Sequence, residues 1–408
     1  MNKIEYDVIV AGGGPAGSTA ATLLADYGYQ VLMIEAARHP RYHIGESMLP
    51  ASEPVMKRLG IDWGVGNQEK RGAEFIDEIK NQSLVFRLWG DRKTYQIERS
   101  LFDQVLFENA LARGAEVRES EKVLDFNVTD SAIQIESDKC HYTGRYFIDA
   151  TGRTALIGRK FRAIRKIEEF GRYALFRYFH LAASEYADAL FATGNVQIIM
   201  VDIGWLWVIP LAGMRASVGL VVKRDPPRGL KRDRLFQRYL DASCRLSKLL
   251  RNARPIGDLK AEADFSYLNL NRQGSRYVSC GDAAGFLDPV FSSGFFFAVK
   301  TAELAADRIH IAFQEGREAE PMLHEDDIRN YDYGFQTMSA LIYRFYHSSM
   351  IENLVFEADR HPRIKQEITA LLAGDLWNDN NRFQLGLLKG RHAFPMTSDD
   401  LRRTLSSK

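Results

Sequence analysis

Cysteine is scarce in this 408-residue chain: Cys140, Cys244 and Cys280 are the full complement. Three widely separated thiols give neither a disulfide framework nor metal-ligand spacing, and they suit a reducing compartment. A charge surplus is missing as well. Lys and Arg number 54 against 53 Asp and Glu, a formal net charge of +1. A nucleic-acid binder driven by bulk charge needs a basic excess to neutralise phosphates, so that class is excluded, although a local patch is not. No apolar run approaches the roughly 18 residues of a membrane span. The N-terminus sets Glu5 and Asp7 ahead of a glycine cluster, unlike the basic-then-apolar layout of an export signal. A cytoplasmic protein without a membrane span is the expectation. Repeats, low-complexity stretches and linkers are also wanting, so the structural units are expected to interleave rather than follow one another.

What is there begins in the first 35 residues. Tyr6 to Ala11 is a short apolar run rich in β-branched residues, the signature of a buried strand. Gly12-Gly13-Gly14-Pro15-Ala16-Gly17 follows, then a helical pattern from Ala16 to Tyr27, then a second apolar strand from Gln30 to Glu35. In such a βαβ opening the glycines have separate physical tasks. Gly12 permits the tight turn, Gly14 lets backbone approach a pyrophosphate, and Gly17 lets the helix pack on the strand. The helix N-terminus, opened by Pro15 and Ala16, then faces the phosphates with free N–H groups and a partial positive charge. Glu35 closes the second strand where an acid accepts ribose hydroxyls. The fold class is therefore α/β: a Rossmann-like dinucleotide unit with other elements interleaved.

Farther on, Ser83 to Trp89 and Lys93 to Ile97 read as short strands of a different sheet. Ser100 to Arg113 reads as a helix with Ser100 as N-cap and Asp103 three residues on. Residues 116–148 read as strands ending in Asp149-Ala-Thr-Gly152. More strands follow, among them Val196–Val201 and Ala216–Val222, interrupted by helix near 232–250. The final hundred residues carry a helical period. The expected division is a discontinuous dinucleotide-binding unit at 1–75, 98–165 and 270–315, a mixed β-sheet substrate lobe at 76–97 and 166–269, and a helical C-terminal region at 316–408.

The glycine motif alone does not choose between FAD and a nicotinamide. Two later segments bear on that choice: Asp149-Ala-Thr-Gly152, which ends an apolar strand, and Gly281-Asp-Ala-Ala-Gly285, which follows another strand and precedes a second helix. With them the chain resembles the class of FAD enzymes that includes para-hydroxybenzoate hydroxylase and geranylgeranyl reductase. The resemblance places Asp282 and Gly285 at the flavin ribityl chain. It places Arg99, of Arg99-Ser-Leu-Phe-Asp103, near the flavin. A solvated i,i+4 pair is the plain alternative for Arg99 and Asp103. Three further segments resemble the flavin-dependent halogenases. Arg41-Tyr-His-Ile-Gly45-Glu46-Ser47 is close to the stretch lining their isoalloxazine pocket. Gly204-Trp205-Leu206-Trp207-Val208-Ile209-Pro210 fits their WxWxIP signature. Lys70-Arg71-Gly72-Ala73-Glu74-Phe75 sits where they hold an essential lysine.

That likeness implies FAD, used as FADH2, together with oxygen and chloride or bromide. Reduced flavin forms a C4a-hydroperoxide, halide takes the distal oxygen, and Lys70 presents the resulting hypohalous acid. A lysine can do so as a hydrogen-bonding ammonium or as a haloamine. Trp205 and Trp207 keep the organic substrate from the flavin, and the backbone at Ser293 and Gly294 holds halide. Tryptophan-specific members carry a glutamate between Pro289 and this Ser-Gly pair. Here Phe291 takes that place, which favours a phenol or pyrrole, possibly tethered to an acyl carrier protein. The aromatics Phe286, Phe291 and Phe295–Phe297 flank the halide segment. Tyr343, Phe345, Tyr346 and His347 sit on a C-terminal helix, either as core or as a cover for the pocket, with His347 a candidate general base. With no second dinucleotide motif, reduced flavin is expected from a separate reductase. The rival expectations are a hydroxylase or reductase of the same fold consuming NAD(P)H, and a catalytically silent FAD-binding protein.

Overall fold

The computed structural model describes residues 5–88, 92–223, 231–263, 266–347 and 360–389. Trp89, at the end of an expected strand, and residues 390–408 of the expected helical region lie outside them. The chain builds two principal sheets. In the first, Tyr6–Ala11 lies between His141–Asp149 and Val31–Glu35, parallel to both. Glu116–Glu119 and Tyr277–Ser279 extend this parallel core on either side. Val8 to Ala11 and Val31 to Glu35 are buried throughout, as strands covered on both faces must be. The turn out of the first strand depends on glycine. Gly12 has φ +105°, and a Cβ there would stand 2.2 Å from the Ala150 carbonyl oxygen. A Cβ on Gly17 would stand 1.8 Å from the Gly12 carbonyl oxygen, so the Pro15–Asp26 helix packs this closely only without one.

The second sheet has seven strands in the order Arg254–Ala263, Arg172–His180, Arg215–Lys223, Gly204–Leu211, Val196–Val201, Gly72–Asp77 and Gln82–Arg87. It is mixed, because Val196–Val201 runs parallel to Gly72–Asp77 while the other neighbours are antiparallel. The expected unit boundary at 75/76 falls inside Gly72–Asp77, which pairs wholly in this sheet. Alternation along Gly204–Leu211 sorts its residues between two cores. Trp205 and Trp207 join Phe75, Phe176 and Phe345 on one side. Leu206 and Val208 join Leu220, Phe236 and Leu246 on the other. The Glu325–His347 and Pro362–Leu372 helices cover the tryptophan side, with Phe335 and Leu371 fully buried in that core. No helix among the described residues is long and apolar enough to cross a membrane.

One local expectation fails. The Arg99–Ala112 helix begins one residue before Ser100, on Glu98, with no side-chain cap. Asp103 cannot complete a capping arrangement because its carboxylate is already held by Arg99.

Candidate active site

A cleft of about 470 Å³ opens at the ends of the parallel strands and reaches the tryptophan face of the second sheet. Its first end is the turn Gly12, Gly14, Pro15 and Ala16. Pro15, the first helical residue, has no N–H to orphan, and the first-turn N–H groups that follow it lack intrahelical acceptors. The positive end of the helix therefore faces the cleft. Beside it lies buried Glu35. Its Oε2 accepts the Gly13 N–H at 2.7 Å and its Oε1 accepts the Ala37 N–H at 2.8 Å. Two backbone donors fix the carboxylate yet leave lone pairs for ligand hydroxyls. Arg41 lines the same wall, its Nε 3.5 Å from Glu35 Oε1.

The middle of the cleft is walled by Gly45, Glu46, Ser47, Arg99 and Asp282. Arg99 is not a solvated helix residue. It is 4% exposed, and its Nε and Nη2 donate to the two Asp103 carboxylate oxygens at 2.8 and 3.0 Å. Its Nη1 donates to the Ile44 and Gly45 carbonyls, each at 3.2 Å, so it pins the Gly45-Glu46-Ser47 segment from behind. Burial pushes the Asp282 carboxyl up to about 6, against the pull of Arg99 and Arg153. Burial also raises Glu46 to about 7, a rise moderated by the Tyr178 and Ser217 hydroxyls. Gly285 pairs with Leu268 behind this wall and is not one of the residues facing the cleft.

At the far end stand Trp205 and Trp207, ring centroids 6.0 Å apart. The Trp207 indole lies flat against Gly219, where a Cβ would approach it to 2.2 Å, and its Nε1 donates to Ser217 Oγ at 3.1 Å. Trp205 Nε1 donates to the Tyr346 hydroxyl at 2.8 Å. That hydroxyl donates in turn to the fully buried Asp288 carboxylate, 3.0 Å from each oxygen. Asp288 Oδ1 also accepts the Val290 N–H at 3.0 Å, and the Arg172 guanidinium stacks 4.2 Å from the Tyr346 ring centroid. Burial pushes Asp288 up to about 6 despite these partners.

Asp288 thus anchors the segment that leads to Ser293. Ser292 is left-handed, Ser293 is the N-cap, and Gly294 opens a 22-residue helix ending at Glu315. Ser292 and Gly294 face the cleft, whereas Ser293 is buried beside them. The free N–H groups of this long helix's first turn form an anion-attracting end.

Lys70, too, lies outside the cleft wall. It is 5% exposed, and its Nζ donates to the Met48 carbonyl at 2.8 Å, directly behind Ser47. Its neighbours Glu69 and Arg71 are exposed, so the charged run turns one member inward. Burial lowers the Lys70 ammonium to about 7. Phe286 and Phe295 face the cleft, while Phe291 packs against Phe75 and Phe345 in the core. His347 is exposed and turned to the Glu169 carbonyl, 3.4 Å away, because its position on the helix faces out where Phe345 faces in. It is not placed as a base for the cleft.

Sequence reading gave no role to Asp288 or Arg172 and left Tyr346 as core or cover. Asp288 directly precedes Pro289, at the head of the segment that carries the expected halide site. Arg172 and Tyr346 join only through long-range packing, which no motif marks.

The cleft fits FAD. A helix N-terminus would suit a pyrophosphate, an anchored acid would suit a ribose, and the Ser47 hydroxyl is buried with no protein partner on a wall that would suit a polar ring edge. Fold and cleft together define an FAD-dependent oxidoreductase. The tryptophan halogenase family model matches residues 7–90 and 80–385, so the chain belongs to the flavin-dependent halogenases and uses FAD, halide and oxygen. It is 27% identical to a 1H-pyrrole-2-carbonyl-(peptidyl-carrier protein) chlorinase of Pseudomonas fluorescens, over 93% of this chain and 91% of that protein. It is 28% identical to the corresponding brominase of Pseudoalteromonas luteoviolacea, over 91% of this chain and 92% of that protein. A triple mutant of the flavin-dependent brominase Bmp2 shares the fold with a TM-score of 0.81 at 25% identity, covering 94% of this chain and 99% of that one.

Proposed function

We propose that this halogenase acts on a pyrrole carried by a peptidyl carrier protein, with a phenol as the second reading. The observation that carries the first is the span of the likeness: both pyrrolyl-carrier halogenases align over more than nine-tenths of this chain and of themselves. Phe291 supports both readings. It stands where tryptophan-specific relatives carry a glutamate, and it packs as core against Phe75 and Phe345. No carboxylate assists attack on a poorly activated ring there, and an electron-rich pyrrole or phenol needs none.

Bound FAD, once reduced, supplies the oxygen chemistry. The chain's own residues do the rest. Gly12, Gly14, Ala16 and Arg41 hold the pyrophosphate, Gly17 lets the helix pack closely behind them, and Glu35 holds the ribose. Gly45, Glu46, Ser47, Arg99 and Asp282 orient the flavin, and Gly285 supports that wall from behind. The backbone at Ser293 and Gly294 holds halide, and Trp205 and Trp207 separate cofactor from organic substrate. Lys70 presents hypohalous acid to the ring. Its lowered ammonium, near 7, makes both the hydrogen-bonding and the haloamine routes accessible at neutral pH. A separate reductase supplies the reduced cofactor, in keeping with the single dinucleotide motif, and the exposed thiols Cys140 and Cys244 fit a cytoplasmic setting.

The test mixes the protein with pre-reduced FAD, oxygen and bromide or chloride. The panel of acceptors is pyrrolyl-loaded carrier protein, free pyrrole-2-carboxylate and simple phenols. A halogen isotope pattern on the carrier-bound pyrrole is the expected product by mass spectrometry. Halogenated phenol with an untouched carrier-bound pyrrole overturns the first reading in favour of the second. A one-oxygen gain without halogen overturns both.

A further inference from the structure

A near-neutral chain has no general attraction for anions, yet its basic residues are not evenly spread. Between Arg153 and Lys166 stand Arg153, Arg159, Lys160, Arg162, Arg165 and Lys166, with no Asp or Glu among them. All six are exposed. One end of this run reaches the cofactor cleft. Arg153 and Thr154 line the cleft itself. Arg159 Nε donates to the Thr154 carbonyl at 2.6 Å, which ties the following helix, Leu156–Lys160, to the rim. The strand Ile164–Lys166 pairs with Tyr267–Asn269, and the Tyr267 hydroxyl donates to the Asp282 carbonyl at 2.6 Å, in the cleft wall.

Other elements bring further cations to the same opening. Lys122 is exposed and lines the cleft. The Lys260 ammonium stands 3.5 Å from the centroid of the Tyr42 ring, another lining residue. Carboxylates answer only part of this charge. Glu262 pairs with Arg153, and Asp125 pairs with Lys160. Among the described residues no carboxylate pairs with Arg159, Arg162 or Arg165.

We propose that this rim is an electrostatic capture surface for the dianionic pyrophosphate of the reduced dinucleotide arriving from solution. The inference rests on the proposed supply of reduced flavin by a separate reductase: a cleft that receives it by diffusion competes with oxygen in bulk solution for that flavin, so its association rate matters as well as its affinity. Basic rims around a low-dielectric cleft raise on-rates by about 10- to 1000-fold, and the gain fades as salt rises. The field of an exposed charge reaches about 10 Å at roughly 0.1 M ionic strength, so rim charges act on an approaching cofactor without touching it once bound.

The experiment is stopped-flow binding of FAD, and anaerobically of FADH2, to the full chain and to a variant carrying Arg159→Glu, Arg162→Glu and Arg165→Glu. None of the three lies in the cleft wall. The association rate constant is expected to fall by ~10-fold at low salt, with the dissociation rate unchanged, and the difference is expected to vanish near ~0.5 M salt. The corresponding triple Gln variant guards against misfolding and is expected to show about half that effect on a logarithmic scale. An association rate and salt slope matching the parent chain overturn the proposal. A parent-like rate with free flavin, combined with slower turnover when a flavin reductase supplies it, also overturns the proposal and makes the rim a surface for the reductase instead.

Discussion

Lys70 shows how strongly burial can set the chemistry of a single residue. Its neighbours Glu69 and Arg71 are exposed, but the fold turns Lys70 inward against the Met48 carbonyl. Burial lowers its ammonium from the ordinary 10.5 to about 7. Between those two values the unfolded chain binds more protons than the folded one, so stability rises with pH across that window. Lys70→Met removes the penalty. It is expected to raise stability by roughly 0.5–2 kcal/mol at about pH 6, with a gain that shrinks toward about pH 10, as thermal melts at the two pH values will show. An equal gain at both would mean that Lys70 is not buried as described. Tyr346 is the second decisive residue, because one hydroxyl satisfies both Trp205 and Asp288. Tyr346→Phe leaves a buried indole N–H and a buried carboxylate each short of a partner. The expected loss is ~1–3 kcal/mol of stability, with a shift in tryptophan fluorescence. Unchanged emission and melting would contradict the network.

Elements, unlike residues, were largely legible in advance, and the reason is locality. The opening strand, glycine turn and helix obey short-range rules, and a Cβ at Gly17 would collide with the Gly12 carbonyl whatever lay elsewhere. Gly17→Ala is therefore expected to weaken FAD binding at least ~10-fold, or to prevent folding outright, as read by flavin fluorescence titration and circular dichroism. Parent-like affinity in a folded variant would show that the helix need not pack so closely. The Gly204–Leu211 strand was legible from alternation, which sends both tryptophans to one face. Elements whose roles depend on distant partners were not. The start of the Arg99–Ala112 helix was misread because Asp103 serves Arg99 rather than a cap. The unit boundary at 75/76 cut a strand because Gly72–Asp77 finds its parallel partner at Val196–Val201, more than a hundred residues on. Arg172, Asp288 and Tyr346 come from three separate segments, and no local pattern joins them.

At the largest scale, the two principal sheets of the described residues clasp the cofactor cleft, with the Glu325–His347 and Pro362–Leu372 helices covering the tryptophan side. Cofactor binding should therefore stabilise the entire fold. FAD at about 100 times its dissociation constant is expected to add roughly 2.7 kcal/mol, visible as a rise in melting temperature that grows with FAD concentration. A melting temperature indifferent to FAD would place the cofactor elsewhere. The central claim is that this clasp performs halogenation and that Lys70, behind the cleft wall, is the residue on which halogen transfer depends. Its most direct test compares parent chain and Lys70→Ala, each loaded with reduced FAD and given oxygen, bromide and the pyrrolyl-carrier substrate, with product mass and flavin reoxidation followed together. The account predicts a bromine isotope pattern from the parent chain, and flavin reoxidation without brominated product from Lys70→Ala. Full bromination by Lys70→Ala would contradict it.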